Sequence, residues 1–184
     1  PEVIYAREYD AAISPNGNIP VHAFNLISPT FFANSSTGNK YSLWVNVYGV
    51  SERYLNVYGE KDLRAQMNQF FHRTYTHPVD GTTLDMKMLC NWYWYDETAI
   101  LETGKGTKDW NFYRYAETLL SAAEAIAQSS GVNAEAAGYL AQVKARANME
   151  GKDVSTIASE LQRLGKQAFI EECLKERLRE FPLE

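Results

Sequence analysis

A chain of 184 residues, 45% hydrophobic and 22% charged, is long enough to bury one substantial core. Its 18 Lys and Arg against 23 Asp and Glu leave a net charge of −5 spread along the chain, so phosphate-tracking nucleic-acid binding has no electrostatic support. No apolar run approaches about 20 residues, and the N-terminus reads neither as a signal peptide nor as a lipid-attachment site. Either the protein stays where it is made, or the chain is a processed piece of something longer.

In chain order, Glu2–Tyr9 holds a Val-Ile-Tyr run that predicts a short strand. Tyr41–Tyr48 sets Tyr41, Leu43, Val45 and Val47 against Ser42, Trp44, Asn46 and Tyr48, a second strand pattern. Lys61–Phe71 fits a short helix or an extended segment, and Leu89–Tyr95 is almost wholly aromatic. No long period runs through residues 1–109, which read as loop-rich coil with short strands. Composition then shifts near Trp110: most aromatic residues and prolines precede it, and most alanines follow.

Residues 110–184 read as helical hairpins. From Asn111 to Gln128, Phe112, Tyr115, Ala116, Leu119, Leu120, Ala123, Ile126 and Ala127 follow the three-and-four spacing of a buried face, with Asp109 as N-cap and Gly131 past the end. A second helix starts at Asn133, turns Ala136, Leu140, Val143 and Ala147 inward, and closes at Gly151. A third runs over Val154–Leu164, capped by Ser155 or Thr156. A fourth runs from Lys166 to about Phe181, burying Phe169, Ile170, Cys173, Leu174, Leu178 and Phe181 before Pro182 stops it. Short connections favour antiparallel neighbours.

Several motifs carry two readings. Arg114, Glu117, Ser121 and Glu124 form a polar stripe, either solvated or covered by a segment that it anchors through charge-assisted bonds. Lys175–Glu180 alternates in charge, the usual mark of a solvated, salt-bridged surface. His72 and His77 with Asp80 and Asp85 invite a metal reading, but Pro78 breaks any continuous helix and no metal site is expected. Gly104–Lys108 lacks the glycine and Gly-Lys-Ser/Thr order of a phosphate loop and reads as a flexible turn. Cys90 and Cys173 make no disulfide framework, and a single bridge between them is left open. The aromatic excess stands out. Loop-borne Trp and Tyr offer flat apolar faces with a polar edge, suited to the C–H face of a sugar ring, although any one ring is more often core. As a strand, Trp92 and Trp94 would point to one side and Tyr93 and Tyr95 to the other.

Tyr113-Arg114-Tyr115-Ala116-Glu117-Thr118-Leu119-Leu120-Ser121-Ala122-Ala123-Glu124-Ala125 resembles the RYAE-x-LL-x-x-AEA signature of the SusD/RagB family. Leu140–Ala147 is similar to that family's next helix, with Gln142 and Lys144 as variants. Phe169–Glu184 resembles its I-x-x-E-R-x-x-E-F-x-x-E helix, and Lys61-Asp62-Leu63-Arg64 its weaker upstream segment. The resemblance implies a mainly helical fold of tetratricopeptide-like pairs under a loop-rich ligand face. It implies a non-catalytic, cofactor-free lipoprotein on the outer face of the Bacteroidetes outer membrane, one that binds oligosaccharide and covers a TonB-dependent, SusC-like transporter. Family members run to several hundred residues. This chain therefore reads as a C-terminal-region fragment, with residues 1–109 facing ligand, residues 110–184 as scaffold, and the remainder of the same protein as a partner.

Within that frame the local reading selects Trp92 and Trp94, then Trp44 and Tyr48, for stacking. Asn46, Asn91 and Arg73 are chosen for hydrogen bonds to sugar hydroxyls. Two other readings stay open: a tetratricopeptide-like scaffold for protein partners, and a hydrolase using a carboxylate pair.

Overall fold

The computed structural model describes residues 2–15, 50–76, 81–93, 95–97 and 106–182. The chain forms two compact units. One holds Pro1–Ala6, Asn56–Arg64 and Asn111–Glu184; the other holds Arg7–Leu55 and Ala65–Trp110. In chain order the elements are β1 (Val3–Arg7), α1 (Glu52–Leu55), a 3-10 turn (Leu63–Ala65), β2 (Phe71–Thr76), β3 (Thr83–Asn91), β4 (Trp110–Arg114), α2 (Tyr115–Ser130), α3 (Ala134–Ala145), α4 (Val154–Leu161) and α5 (Lys166–Glu180). The architecture is mainly helical, with tetratricopeptide-like pairs and a few short strands. The strand expected over residues 41–48 lies outside the described residues.

In the helical unit α2 packs on α3, α3 on α4 and α2 on α5. Ala116, Leu119, Leu120, Ala123 and Ala127 form one buried stripe on α2 and meet Ala136, Ala137, Leu140, Ala141 and Val143 of α3. The many alanines let the two backbones approach closely, and Ile157, Leu161, Phe169, Ile170 and Cys173 complete the core. Asn133 caps α3 as expected, its side chain accepting from the Ala136 N–H at 2.9 Å. Gly131 ends α2 at φ 83°, a left-handed conformation that disfavours a Cβ.

The structure corrects several expectations. Trp110–Arg114 is a strand paired with β1, so α2 begins at Tyr115 rather than Asn111. Its first N–H donates to the Glu2 carbonyl at 2.7 Å, and Asp109 instead accepts from the Tyr9 N–H at 2.9 Å. Phe112 and Tyr115, expected inward, are exposed. Helix α3 ends at Ala145, well before Gly151. The cap of α4 is Asp153, not Ser155 or Thr156, and accepts from the Thr156 N–H at 2.7 Å. Of the two readings for Lys61–Phe71, the short helix holds in part, as the 3-10 turn of Leu63–Ala65. Both cysteines are free and buried, each thiol pushed up to about 12 chiefly by burial.

The largest correction concerns α5. Leu174 and Leu178 are 46% and 51% exposed, while Glu176 and Glu180 are 0% and 6% exposed. The supposed solvated charge run is the centre of a buried ionic network. Arg64 donates to Asp62 at 2.7 Å, to Glu176 at 2.9 Å and to Glu180 at 2.9 Å. Arg114 donates to Glu180 Oε1 at 2.8 Å, to the Glu180 carbonyl at 2.8 Å and to Glu2 at 2.9 Å. Arg179 reaches Glu172 at 2.8 Å and Glu176 at 3.0 Å, and Lys144 also binds Glu172. The polar stripe on α2 follows the covered reading. Arg114 is 7% exposed, and Arg177 of α5 donates to Glu117 and to Ser121.

Burial works against the Arg64 charge, but Asp62 and Glu176 outweigh it and raise its pKa. Burial likewise pushes Glu172 up, and Lys144 and Arg179 outweigh that to hold its carboxyl below its ordinary 4.5. Glu2 is held below 4.5 chiefly by the bond from Arg146. Both folded values lie below the unfolded one, so the stability these groups contribute is complete above pH 4.5 and is lost as pH falls through the folded values. Melting temperature should therefore fall as pH drops below 4.5, and Glu172→Gln should flatten that dependence. Equal slopes for the two proteins in melts across this range would remove Glu172 from the account.

Candidate ligand-binding site

The second unit carries an aromatic cluster on a two-stranded base. β2 and β3 pair antiparallel, with Phe71 opposite Asn91, His72 opposite Cys90 and Thr76 opposite Thr83. The register breaks between His72 and Thr74, and Arg73 falls in that irregularity, exposed on its strand. Phe71 and Tyr75 point into the unit at 2% exposure each, and Tyr54 meets Phe71 edge-on at 6.2 Å.

β3 ends at Asn91, so the strand alternation considered for Trp92–Tyr95 does not apply. The chain turns instead. Trp92 donates its N–H to the Phe70 carbonyl at 2.7 Å, and Tyr95 donates to the Trp92 carbonyl at 3.0 Å. Asn91 is buried, and its Oδ1 accepts from the Tyr93 N–H at 2.8 Å. That carboxamide oxygen is thus committed to shaping the turn.

The half-buried Trp92 ring stacks on His72 (4.4 Å between centroids, 13° between planes) and on Tyr95 (4.9 Å, 15°), with Tyr75 tilted against it at 5.6 Å. Burial pushes His72 below its ordinary 6.5, so it stacks as a neutral ring near pH 7. Burial, reinforced by Tyr75, pushes the Tyr95 hydroxyl up; that hydroxyl donates to Glu97 at 3.1 Å.

The turn is held from behind by residues 107–108. Lys108 donates to the carbonyls of Tyr93 and Tyr95, and burial pushes its amine down while Asp96 opposes the shift. Asp96, 7% exposed, accepts from the Thr107 N–H at 2.7 Å and from its hydroxyl at 3.2 Å. The segment read as a flexible turn is therefore pinned at Thr107 and Lys108, with a strand rather than a helix after it.

Of the residues selected from sequence, the structure places Trp92, Asn91 and Arg73 on or beside this cluster. Trp94, Trp44, Tyr48 and Asn46 lie outside the described residues. Sequence reasoning missed His72, Tyr75 and Tyr95 as stacking partners and Lys108 and Asp96 as the brace. The signal for His72 was present, since its register opposite Cys90 sets it two positions from Trp92 across the hairpin. Among the described residues no group of three or more His, Cys, Asp or Glu is placed to hold a metal ion. No helix among them is long and apolar enough to cross a membrane.

Residues 30–184 match the SusD family. The chain belongs to the SusD family. No curated relative matches it by sequence. Among solved structures, it is similar to a SusD superfamily protein from Parabacteroides distasonis ATCC 8503, with a TM-score of 0.74 and 22% identity over 98% of this chain and 36% of that one. It is also similar to a SusD superfamily protein from Bacteroides fragilis NCTC 9343, with a TM-score of 0.61 and 18% identity over 98% of this chain and 38% of that one. Surface glycan-binding protein A from Bacteroides uniformis aligns with a TM-score of 0.56 and 21% identity over 98% of this chain and 34% of that one. This SusD-family chain thus spans little more than a third of the length of those structures, which share its fold.

Proposed function

We propose that this SusD-family chain is the ring-bearing part of a cell-surface glycan receptor that binds oligosaccharide without catalysis. The observation that carries the reading is the family match over residues 30–184, joined to an aromatic cluster whose turn is pinned by hydrogen bonds from Thr107 and Lys108. A likeness in fold to a protein named for surface glycan binding supports the same reading. In it, the edge of the Trp92 ring, whose faces carry His72 and Tyr95, meets the sugar together with Arg73, Trp94, Trp44, Tyr48 and Asn46, and Asn91 shapes the turn that follows β3. A pre-stacked ring has already lost its rotamer freedom, so sugar binding costs little further ordering there. The bound glycan passes to a TonB-dependent, SusC-like transporter in the outer membrane. Further parts of the same protein supply the lipid anchor and the rest of the lid.

Trp92→Ala removes the ring on which His72 and Tyr95 stack as well as its edge contact with sugar, a loss on the order of 1 kcal/mol, so it should weaken oligosaccharide binding about fivefold. Calorimetric titration with oligosaccharides reads the affinity, and far-ultraviolet circular dichroism checks that the helices persist. A folded variant that binds its glycan as tightly as the parent would dismiss this ring from the site.

A further inference from the structure

Tyr115 and Leu119 lie one turn apart on α2, and Gln142 and Arg146 lie one turn apart at the end of α3. Together they line a groove of about 310 Å³ that belongs wholly to the helical unit. Its apolar floor is Leu119 and Val143, 7% and 1% exposed. Glu2 ties the two helices beside it. Its carbonyl accepts the first N–H of α2 at 2.7 Å, and its carboxylate accepts from Arg146 at 2.7 Å.

Tyr115 differs from Trp92 in what it offers a ligand. Both faces of Trp92 carry other rings, whereas Tyr115 is 49% exposed and stacks on no ring among the described residues. An open aromatic ring beside a concave apolar floor can take the C–H face of a sugar, and an amide and an ion pair on the rim can take its hydroxyls. The charges on that rim are already matched. Arg146 binds both Glu2 and Glu180, so a charged ligand would have to displace an existing partner. A guanidinium has more N–H donors, and a carboxylate more lone pairs, than such bonds use, so a neutral hydroxyl can add without breaking the pair. The groove stands at the lower limit of small-ligand pockets, near about 300 Å³, which suits one ring rather than a chain.

We propose that this groove is a second carbohydrate site that takes a single neutral pyranose unit. Tyr115 is its stacking platform, and Gln142, Arg146 and Glu2 are its hydrogen-bonding rim. The inference rests on the oligosaccharide-binding reading above, and adds to it a site that shares no residue with the aromatic cluster.

The test titrates the full chain with methyl glycosides of glucose, galactose, mannose and xylose, at millimolar concentration, and follows amide correlation spectra. The Gln142 side-chain amide signals are identified by their absence in Gln142→Leu, a change at an exposed position. At least one glycoside should move those signals saturably, in the parent and in Trp92→Ala alike. Tyr115→Ala, also at an exposed position, should weaken that glycoside about fivefold while far-ultraviolet circular dichroism stays as in the parent. Gln142 signals that none of these glycosides moves, shifts that Trp92→Ala abolishes, or an affinity untouched by Tyr115→Ala would each overturn the site. Calorimetric binding of oligosaccharide by a chain whose Gln142 signals no glycoside moves would sink the groove alone. A chain that binds no sugar by either measure would sink the oligosaccharide reading as well.

Discussion

Arg64→Met should lower stability by about 3 kcal/mol, because it strips a guanidinium from two carboxylates that stay buried. Glu176 has 1% of its side chain exposed and Glu180 8%, so water cannot replace the lost donors. The expected loss sits at the low end for a broken buried pair. Glu176 keeps Arg179 at 3.0 Å and Lys144 at 3.6 Å, and Glu180 keeps Arg114 and Arg146. In a chain of this size that loss corresponds to a melting temperature lower by roughly 5–10 °C. Methionine matches the length of the arginine stem, so the experiment isolates the charge rather than the packing. Adding Glu176→Leu to Arg64→Met should recover part of the loss, since the stranded charge then disappears. A melting temperature unchanged in the single variant would show that the network is solvated in practice.

Phe169→Ala should cost about 3–5 kcal/mol, through lost burial and the cavity left behind. Phe169 is 0% exposed and packs inside the cluster formed by α2, α3 and α4. The same kind of truncation at Leu174, five residues on and 46% exposed, should stay within about 0.5 kcal/mol. Denaturant melts of the two variants give a direct comparison. Equal losses would mean that Leu174 is packed as the simple count of apolar residues on α5 suggests.

The pair also shows how far the sequence could be read. Helices α2 and α3 were legible because their apolar residues recur without competition, and the Asn133 cap marks where α3 begins. On α5 the same rule was applied to hydrophobic letters alone, which drew Leu174 and Leu178 inward. The spacing Phe169, Cys173, Glu176, Glu180 steps by four, three and four, a single helical face that begins apolar and ends charged. Read as geometry rather than hydropathy, it already pointed to two buried carboxylates. At the other end of the helical region, Trp110–Arg114 fitted a helical period as well as a strand. Pairing with β1, more than a hundred positions away, decided between them.

The aromatic site was legible only as composition. Trp92 could be selected by letter, but not the rings that stack on it or the brace that holds its turn. Those depend on a hairpin register with a bulge and on Lys108 reaching Tyr93, and Thr107 reaching Asp96, across more than ten residues.

By itself the sequence determined the helical hairpins and the family to which they belong. Local spacing sets which residues share a helix face, and the family motifs are runs of neighbouring letters. The tertiary structure alone decided which of those faces is covered, and by what. Arg64 lies 112 and 116 positions from the carboxylates it neutralises. No local pattern encodes a partner that distant, because the cost of burying Glu176 and Glu180 is met only once the folded chain delivers the guanidinium groups to them.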